Sequence, residues 1–191
     1  VNARLEPPPA VQTPTRTGPD AGQAASEAAG SIAKLSRKTQ VGSYAALIAR
    51  VAPRADYAAV NISSPNTPDL RKLQDRGTLE ALLSAVAAAR DGAARRVPVL
   101  VKLAPDLAEP ELDQALEAIV RCGLDGVIAT NTTTDRTGLP AAARELPGGT
   151  SGEPLRARAT AITRFIARRT HGQLALVGVG GILTPEDALE R

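Results

Sequence analysis

The stretch Asn61-Ile62-Ser63-Ser64-Pro65-Asn66-Thr67 sets amides and hydroxyls directly after the apolar run Ala58-Ala59-Val60, the pattern of a buried strand that ends at a working edge. Pro65 lacks an N–H and restricts its neighbour, so a turn follows and Ser64 and Asn66 are expected in a fixed conformation. Ser64 is the first candidate for chemistry. The single histidine, His171, lies in a Gly-flanked linker ahead of a strand, and no G-x-S-x-G elbow surrounds Ser64, which leaves nucleophilic acyl transfer unsupported. A serine hydroxyl can still pass on a proton when the hydrogen removed is acidified and its electrons have a sink.

Asn61, Asn66 and Asn131 each carry an acceptor oxygen and a two-donor nitrogen. Together they suit a planar neutral ligand whose edge alternates C=O and N–H, such as a pyrimidine or a flavin ring; singly, such residues also bond nearby backbone in turns. Lys102 interrupts the apolar run Val99-Leu100-Val101-Lys102-Leu103, where an ammonium needs an anionic partner unless it snorkels to the surface. In a redox site it would hold negative charge on a reduced ring. Gly178-Val179-Gly180-Gly181 follows an apolar strand and precedes a helix start at Thr184, the outline of a phosphate cradle built from backbone N–H groups. Leu183 stands at the last glycine position of G-x-G-x-x-G, so a dinucleotide fingerprint is not met. Gly148-Gly149-Thr150-Ser151-Gly152 is a second glycine-rich loop. One His, one Cys and scattered carboxylates supply no metal-ligand spacing.

Alternating strands and helices must position these groups. Leu47, Ile48 and Val51 share a helical face, with no helix expected before Ser43, and a strand is expected over 57–63. Thr78 can cap a helix carrying Leu79, Leu82, Leu83 and Val86, and 97–104 is the next strand. Leu112, Ala115, Leu116, Ile119 and Val120 form another apolar face that Gly123 stops, ahead of a strand over 126–130. Ile162, Phe165 and Ile166 mark a helix ending near His171-Gly172, where Arg168-Arg169 reads as a solvated end, and a strand follows over 174–179. Thr184-Pro185-Glu186-Asp187 has the cap, proline and acidic first turn of a helix start.

Strands alternating with helices at roughly 30 to 45 residues argue for βαβ units and a parallel sheet. Polar residues fall at successive strand ends: Asn61 and Ser64, Lys102, Thr130 and Asn131, Gly180 and Gly181. A site fed by several strand ends belongs to a βα-barrel, whereas a doubly wound sheet gathers its ligand at one switch point. The expected class is therefore α/β, a TIM (β/α)8 barrel.

With 191 residues the chain can bury one core. Residues 1–29 carry Pro7, Pro8, Pro9, Pro14 and Pro19 and few large aliphatics, so a disordered or poorly packed segment is expected there and the barrel domain over 30–191. Lys and Arg number 23 against 20 Asp and Glu, and aromatics make up 2% with no Trp, which removes the stacking platforms of single-strand nucleic-acid binders and makes nucleic acid a poor partner. Cys122 alone excludes an internal disulfide and reads as a small buried hydrophobe. No 18-residue apolar run and no leader pattern is visible.

Asn61-Ile-Ser-Ser-Pro-Asn-Thr, Val101-Lys102-Leu-Ala-Pro-Asp, Asp125-Gly-Val-Ile-Ala-Thr-Asn131-Thr-Thr, Gly148-Gly-Thr-Ser-Gly152 and Gly178-Val-Gly-Gly-Ile182 together resemble the dihydroorotate dehydrogenase family, in order and spacing, from about Gly30 to Arg191. Ser64, where the other main branch has cysteine, resembles the quinone-linked class 2 branch. The resemblance implies a flavin-dependent barrel that oxidises dihydroorotate to orotate in pyrimidine (UMP) synthesis, with FMN as hydride acceptor and quinone as final acceptor, peripheral to the cytoplasmic face of a membrane. It implies that Ser64 accepts the C5 proton, that Asn61, Asn66, Asn131 and Thr132 hold the substrate, and that Asn61, Lys102, Thr130, Gly152 and Gly181 contact FMN. Ser31, Asp69 and Thr150 depart from the residues usual in the family. A whole barrel takes ~250 residues, so the chain reads as an incomplete barrel without recognisable first strands or the last strand. The competing expectations are a non-catalytic family member that binds flavin poorly, and a cofactor-free phosphate-binding barrel resting on Gly178 to Gly181.

Overall fold

Helix α1 (Arg37–Val51) runs through a 3-10 turn (Ala52–Arg54) into strand β1 (Ala58–Asn61) in a computed structural model that describes residues 37–63 and 76–191. There follow α2 (Arg76–Asp91), β2 (Val99–Leu103), α3 (Glu109–Arg121), β3 (Gly126–Ala129), the single turn α4 (Ala141–Arg144), α5 (Glu153–Thr170), β4 (Ala175–Gly178) and α6 (Pro185–Glu190). The four strands pair in sequence order, all parallel. The expected segment 1–29, together with Ser31, Ser64, Asn66, Thr67 and Asp69, lies outside the described residues.

β2 and β3 are buried along their length apart from half-buried Lys102, as expected of parallel strands covered on both faces. Onto them pack Leu79, Leu82, Leu83 and Val86 of α2, Leu112, Ala115, Leu116 and Ile119 of α3, and Ile162 and Ile166 of α5, every one buried. Each leucine, isoleucine or valine among them contributes about 1.5–3 kcal/mol through burial. β3 and β4 approach closely at Gly126, where a Cβ would stand 2.4 Å from the carbonyl oxygen of Ala175. Only glycine fits there.

Several expectations are corrected. α1 begins at Arg37, ahead of Ser43, and its inward stripe is Val41, Tyr44 and Ile48, while Leu47 and Val51 are 39% and 41% exposed. One residue is a turn of about 100°, so Ile48 cannot face the core together with both Leu47 and Val51 once Val41 and Tyr44 join it. Thr78 lies inside the first turn of α2 and does not cap it. Val120 is 42% exposed, and Leu124 beyond the turn is buried in its place. Gly123 ends α3 with φ 65°, as expected, and Thr184 caps α6 by accepting from the Asp187 N–H while the Asp187 carboxylate accepts from the Thr184 N–H. Arg169 is not simply solvated: it pairs with Asp113 and Glu117 of α3.

The N-terminal end of the sheet is tied by one carboxylate. Asp125 accepts from the Val99 N–H (2.8 Å), from buried Arg90 (2.9 Å) and from Arg96 (2.7 Å). Burial opposes ionisation of Asp125, but the Val99 hydrogen bond and the two guanidinium groups outweigh it and hold the carboxyl below its ordinary value.

Candidate active site at the strand ends

At the opposite end, the register sets Asn61 of β1 beside Lys102 of β2, and Leu103 beside Ala129 of β3. The ladder then continues past β3: the Thr130 N–H bonds the Val179 carbonyl at 3.1 Å and the Asn131 N–H bonds the Leu103 carbonyl at 2.8 Å. Backbone pairing therefore delivers Thr130 and Asn131 to the same rim as Asn61 and Lys102. Thr130 is buried, and its hydroxyl donates to the Asn131 carbonyl at 2.9 Å.

Asn61 and Asn131 meet directly. The Asn131 Nδ2 donates to Asn61 Oδ1 at 3.2 Å and to Ser63 Oγ at 3.0 Å, and the Asn131 Oδ1 accepts from the Thr132 N–H at 2.8 Å. Ser63, fully buried, also bonds Asn61 Oδ1 through its backbone N–H (3.3 Å) and its hydroxyl (3.2 Å). From α1 the Tyr44 hydroxyl donates to the Asn61 carbonyl at 3.0 Å. Burial pushes the Tyr44 phenol up to about 12, so it remains a neutral donor throughout the neutral range. Lys102 is half-buried, and no acidic or hydrogen-bonding partner meets its ammonium among the described residues. A cation in that position suits an anionic ligand or an electron-rich ring.

The glycine-rich loops, read as two separate features, converge at the N-terminus of α5. Gly152 precedes that helix with φ 75°, and Gly181, with φ 71°, lies so close that a Cβ on it would stand 2.5 Å from the Arg156 Cα. Gly180, with φ 97°, packs against Leu155. Bare backbone beside a helix N-terminus fits a phosphate. The approach to this region is braced by side chains to which the sequence assigned no role. The Asp106 carboxylate accepts from the Thr133 hydroxyl and from the Thr134 N–H and hydroxyl, both at 3.1 Å. Arg136 donates to the carbonyls of Leu146 and Gly148, and Thr150, buried, forms a bridge with Thr133. Thr150 thus has its own backbone partner despite departing from the family's usual residue.

Of the expected site residues, Asn61, Lys102, Thr130, Asn131 and Thr132 share one rim and Gly152 and Gly181 share one cradle, whereas Ser64 and Asn66 lie outside the described residues. Sequence reasoning missed Ser63, Tyr44, Asp106 and Arg136. His171 caps the C-terminus of α5 in the left-handed conformation, φ 47°, ahead of β4 and at the far end from the rim, where the sequence placed it. A cavity of about 500 Å³ opens between α5, β4 and α6, lined by Thr160, Arg164, Leu176, Gly178 and Arg191 among others, and Arg191 donates to the Gly180 carbonyl at 2.8 Å. No group of three or more His, Cys, Asp or Glu able to hold a metal occurs among the described residues, and no helix among them is long and apolar enough to cross a membrane.

Comparison with known proteins agrees with this geometry. A family model described as dihydroorotate dehydrogenase matches residues 19–191, starting ahead of Gly30. The dihydroorotate dehydrogenase (quinone) of Streptomyces coelicolor is 52% identical over 158 residues, covering 79% of this chain and 43% of its own length. That of Salinispora arenicola is 53% identical over 136 residues, covering 70% of this chain and 38% of its own. Among solved structures, DHODH from Eimeria tenella in complex with ferulenol aligns with TM-score 0.75 at 33% identity, over 79% of this chain and 45% of that one. The chain spans less than half the length of these relatives. The expectation of an incomplete TIM barrel is borne out, since the four parallel strands and their helices match one part of those enzymes' barrel. With the strand-end asparagines, the lysine and the glycine cradle in the order the motifs require, this chain belongs to the dihydroorotate dehydrogenase family.

Proposed function

We propose that the protein containing this chain oxidises dihydroorotate to orotate, with FMN receiving the hydride and quinone as final electron acceptor, in pyrimidine (UMP) synthesis. The observation that carries the reading is the joined Asn61–Ser63–Asn131 cluster beside half-buried Lys102 at the strand ends. The family is one of flavoenzymes, and the residues suit a flavin: Lys102 lacks a partner among the described residues, Gly152 has open space beside it at the start of α5, and Gly181 brings bare backbone against the same turn.

FMN, when bound, supplies the acceptor for the C6 hydride. Ser64 takes the C5 proton and passes it to Thr67 or to water. Asn61, Asn66, Asn131 and Thr132 hold the pyrimidine and its carboxylate through donors and acceptors that match its edge. Asn61, Lys102 and Thr130 would hold the flavin ring, and the Lys102 ammonium would offset negative charge on it. Gly152 and Gly181 line its tail and phosphate. Residues 30–191 form the flavin-binding domain in this reading. Association with the cytoplasmic face of a membrane is peripheral, and nucleic acid is no partner.

The visible spectrum of the purified protein tests the reading. Bound flavin that bleaches on adding dihydroorotate is expected, with Ser64→Ala abolishing bleaching while flavin stays bound. A folded protein that takes up no added FMN would refute the reading and favour the non-catalytic alternative. Loss of flavin in Ser64→Ala would refute the role assigned to that serine.

A further inference from the structure

Ser63 stands beside the proposed proton acceptor, yet its own hydroxyl is fully buried and already committed. Its contacts decide what the site can offer a ligand. Two backbone donors fix the amides first. The Ser63 N–H, 3.3 Å from the Asn61 side chain, can only meet the oxygen of that amide, and the Thr132 N–H, 2.8 Å from the Asn131 side chain, can only meet the oxygen of the other. An Asn oxygen donates nothing, so the Ser63 hydrogen goes to Asn61 Oδ1 and the Ser63 oxygen accepts from Asn131 Nδ2.

The hydrogen-bond count that follows is asymmetric. Asn61 Oδ1 accepts three bonds and faces inward, which leaves the Asn61 Nδ2 donors without a partner among the described residues. Both Nδ2 hydrogens of Asn131 are spent on Asn61 and Ser63, which leaves a lone pair on its Oδ1. Asn61 therefore presents donors and Asn131 presents an acceptor.

We infer that Ser63 is a positioning residue that sets the polarity of the site: by bridging the two asparagine amides it fixes Asn61 as a donor toward a carbonyl or carboxylate oxygen and Asn131 as an acceptor toward a ring N–H. The inference rests on the proposed pyrimidine site and deepens it. Without the hydroxyl, one Asn131 hydrogen has no internal partner and Asn61 Oδ1 loses a donor, so the Ser63 and Thr132 N–H groups alone hold the two amides and each is set less firmly against the ligand.

The test uses the full-length, FMN-loaded protein and compares Ser63→Ala with Ser63→Thr, which keeps the hydroxyl. Orotate affinity is measured calorimetrically, flavin content by absorbance, and KM for dihydroorotate separately from kcat. Ser63→Ala is expected to keep its flavin while orotate affinity falls and KM rises about 10-fold, the effect of leaving the half-buried Asn131 donor without its partner. The expected change in kcat is under threefold, and Ser63→Thr restores affinity to within a few-fold. Unchanged orotate affinity in Ser63→Ala overturns the inference. So does parallel loss of flavin and affinity in Ser63→Ala that Ser63→Thr fails to restore, since that marks a purely structural role. A wild-type protein that holds FMN but no orotate would instead remove the pyrimidine reading beneath it.

Discussion

Replacing Asp125 with alanine removes a carboxylate that serves three donors at the N-terminal end of the sheet. The Val99 N–H, 2.8 Å away, would lose its acceptor between two buried strands, at a cost of about 1–3 kcal/mol. Arg90, only 3% exposed, would lose its bond to Asp125 but retain Asp91 and the Gly123 carbonyl, which limits the second loss to about 1–2 kcal/mol. Arg96 is exposed and adds little. The sum is a destabilisation of about 3 kcal/mol, and with an m-value of about 2 kcal/mol/M the urea midpoint falls by about 1.5 M. Asp125→Asn keeps an acceptor for Val99 and is expected to lose about half as much. Because folding holds the Asp125 carboxyl below its ordinary 3.8, its contribution is present above pH 4 and fades as pH falls through the folded value. Asp125→Asn should therefore flatten the acid limb of the stability profile. Flavin content per folded molecule should not change, since this carboxylate sits at the end of the sheet opposite the rim. A midpoint within 0.3 M of wild type for Asp125→Ala, on the order of 0.6 kcal/mol, would refute the reasoning.

Two further substitutions probe the rim. Tyr44→Phe deletes the hydroxyl bonded to the Asn61 carbonyl and should cost about 1 kcal/mol at neutral pH. Folding raises the Tyr44 phenol from 10.0 to about 12, so its contribution is complete below pH 10 and is lost as pH rises toward 12; urea melts at pH 8 and pH 11 should show a smaller alkaline loss in Tyr44→Phe than in wild type. Gly181→Ala forces a methyl to within 2.5 Å of the Arg156 Cα at φ 71°, and a destabilisation of about 2 kcal/mol or more is expected from overpacking and backbone strain together. Its flavin-to-protein absorbance ratio should drop as well, and a variant with wild-type melting and wild-type flavin content would show that the cradle is looser than described.

The strands and the three core helices were legible because their apolar residues recur with a clear period, as in Leu79, Leu82, Leu83 and Val86, all buried. The α1 stripe was not, because Tyr44 carries both a ring that packs inward and a hydroxyl that reads as polar. At the site, Asn61, Lys102, Asn131 and Gly181 were visible as polar or bare residues at the ends of apolar runs. Ser63 was hidden by its neighbour: nothing in two adjacent serines says which one turns inward, since successive residues of an extended chain face opposite ways. Asp106 and Arg136 act across loops, by side-chain bonds to Thr133, Thr134, Leu146 and Gly148, and such contacts follow no period at all.

Strand order equal to sequence order has a consequence for how the protein is made. Ala58 pairs with Val99, Leu100 with Gly126 and Gly126 with Ala175, so β2, β3 and β4 each dock against the described strand synthesised immediately before. Loops of a few tens of residues differ little in closure entropy, about 0.6 kcal/mol per doubling, so no step in this succession is penalised over the others. The amide cluster closes late on this schedule: Asn61 and Ser63 leave the ribosome first, and their partner Asn131 arrives only after β2 and β3 have been made. A nascent chain released before Asn131 would carry the opening half of the signature with no opposing amide to orient it.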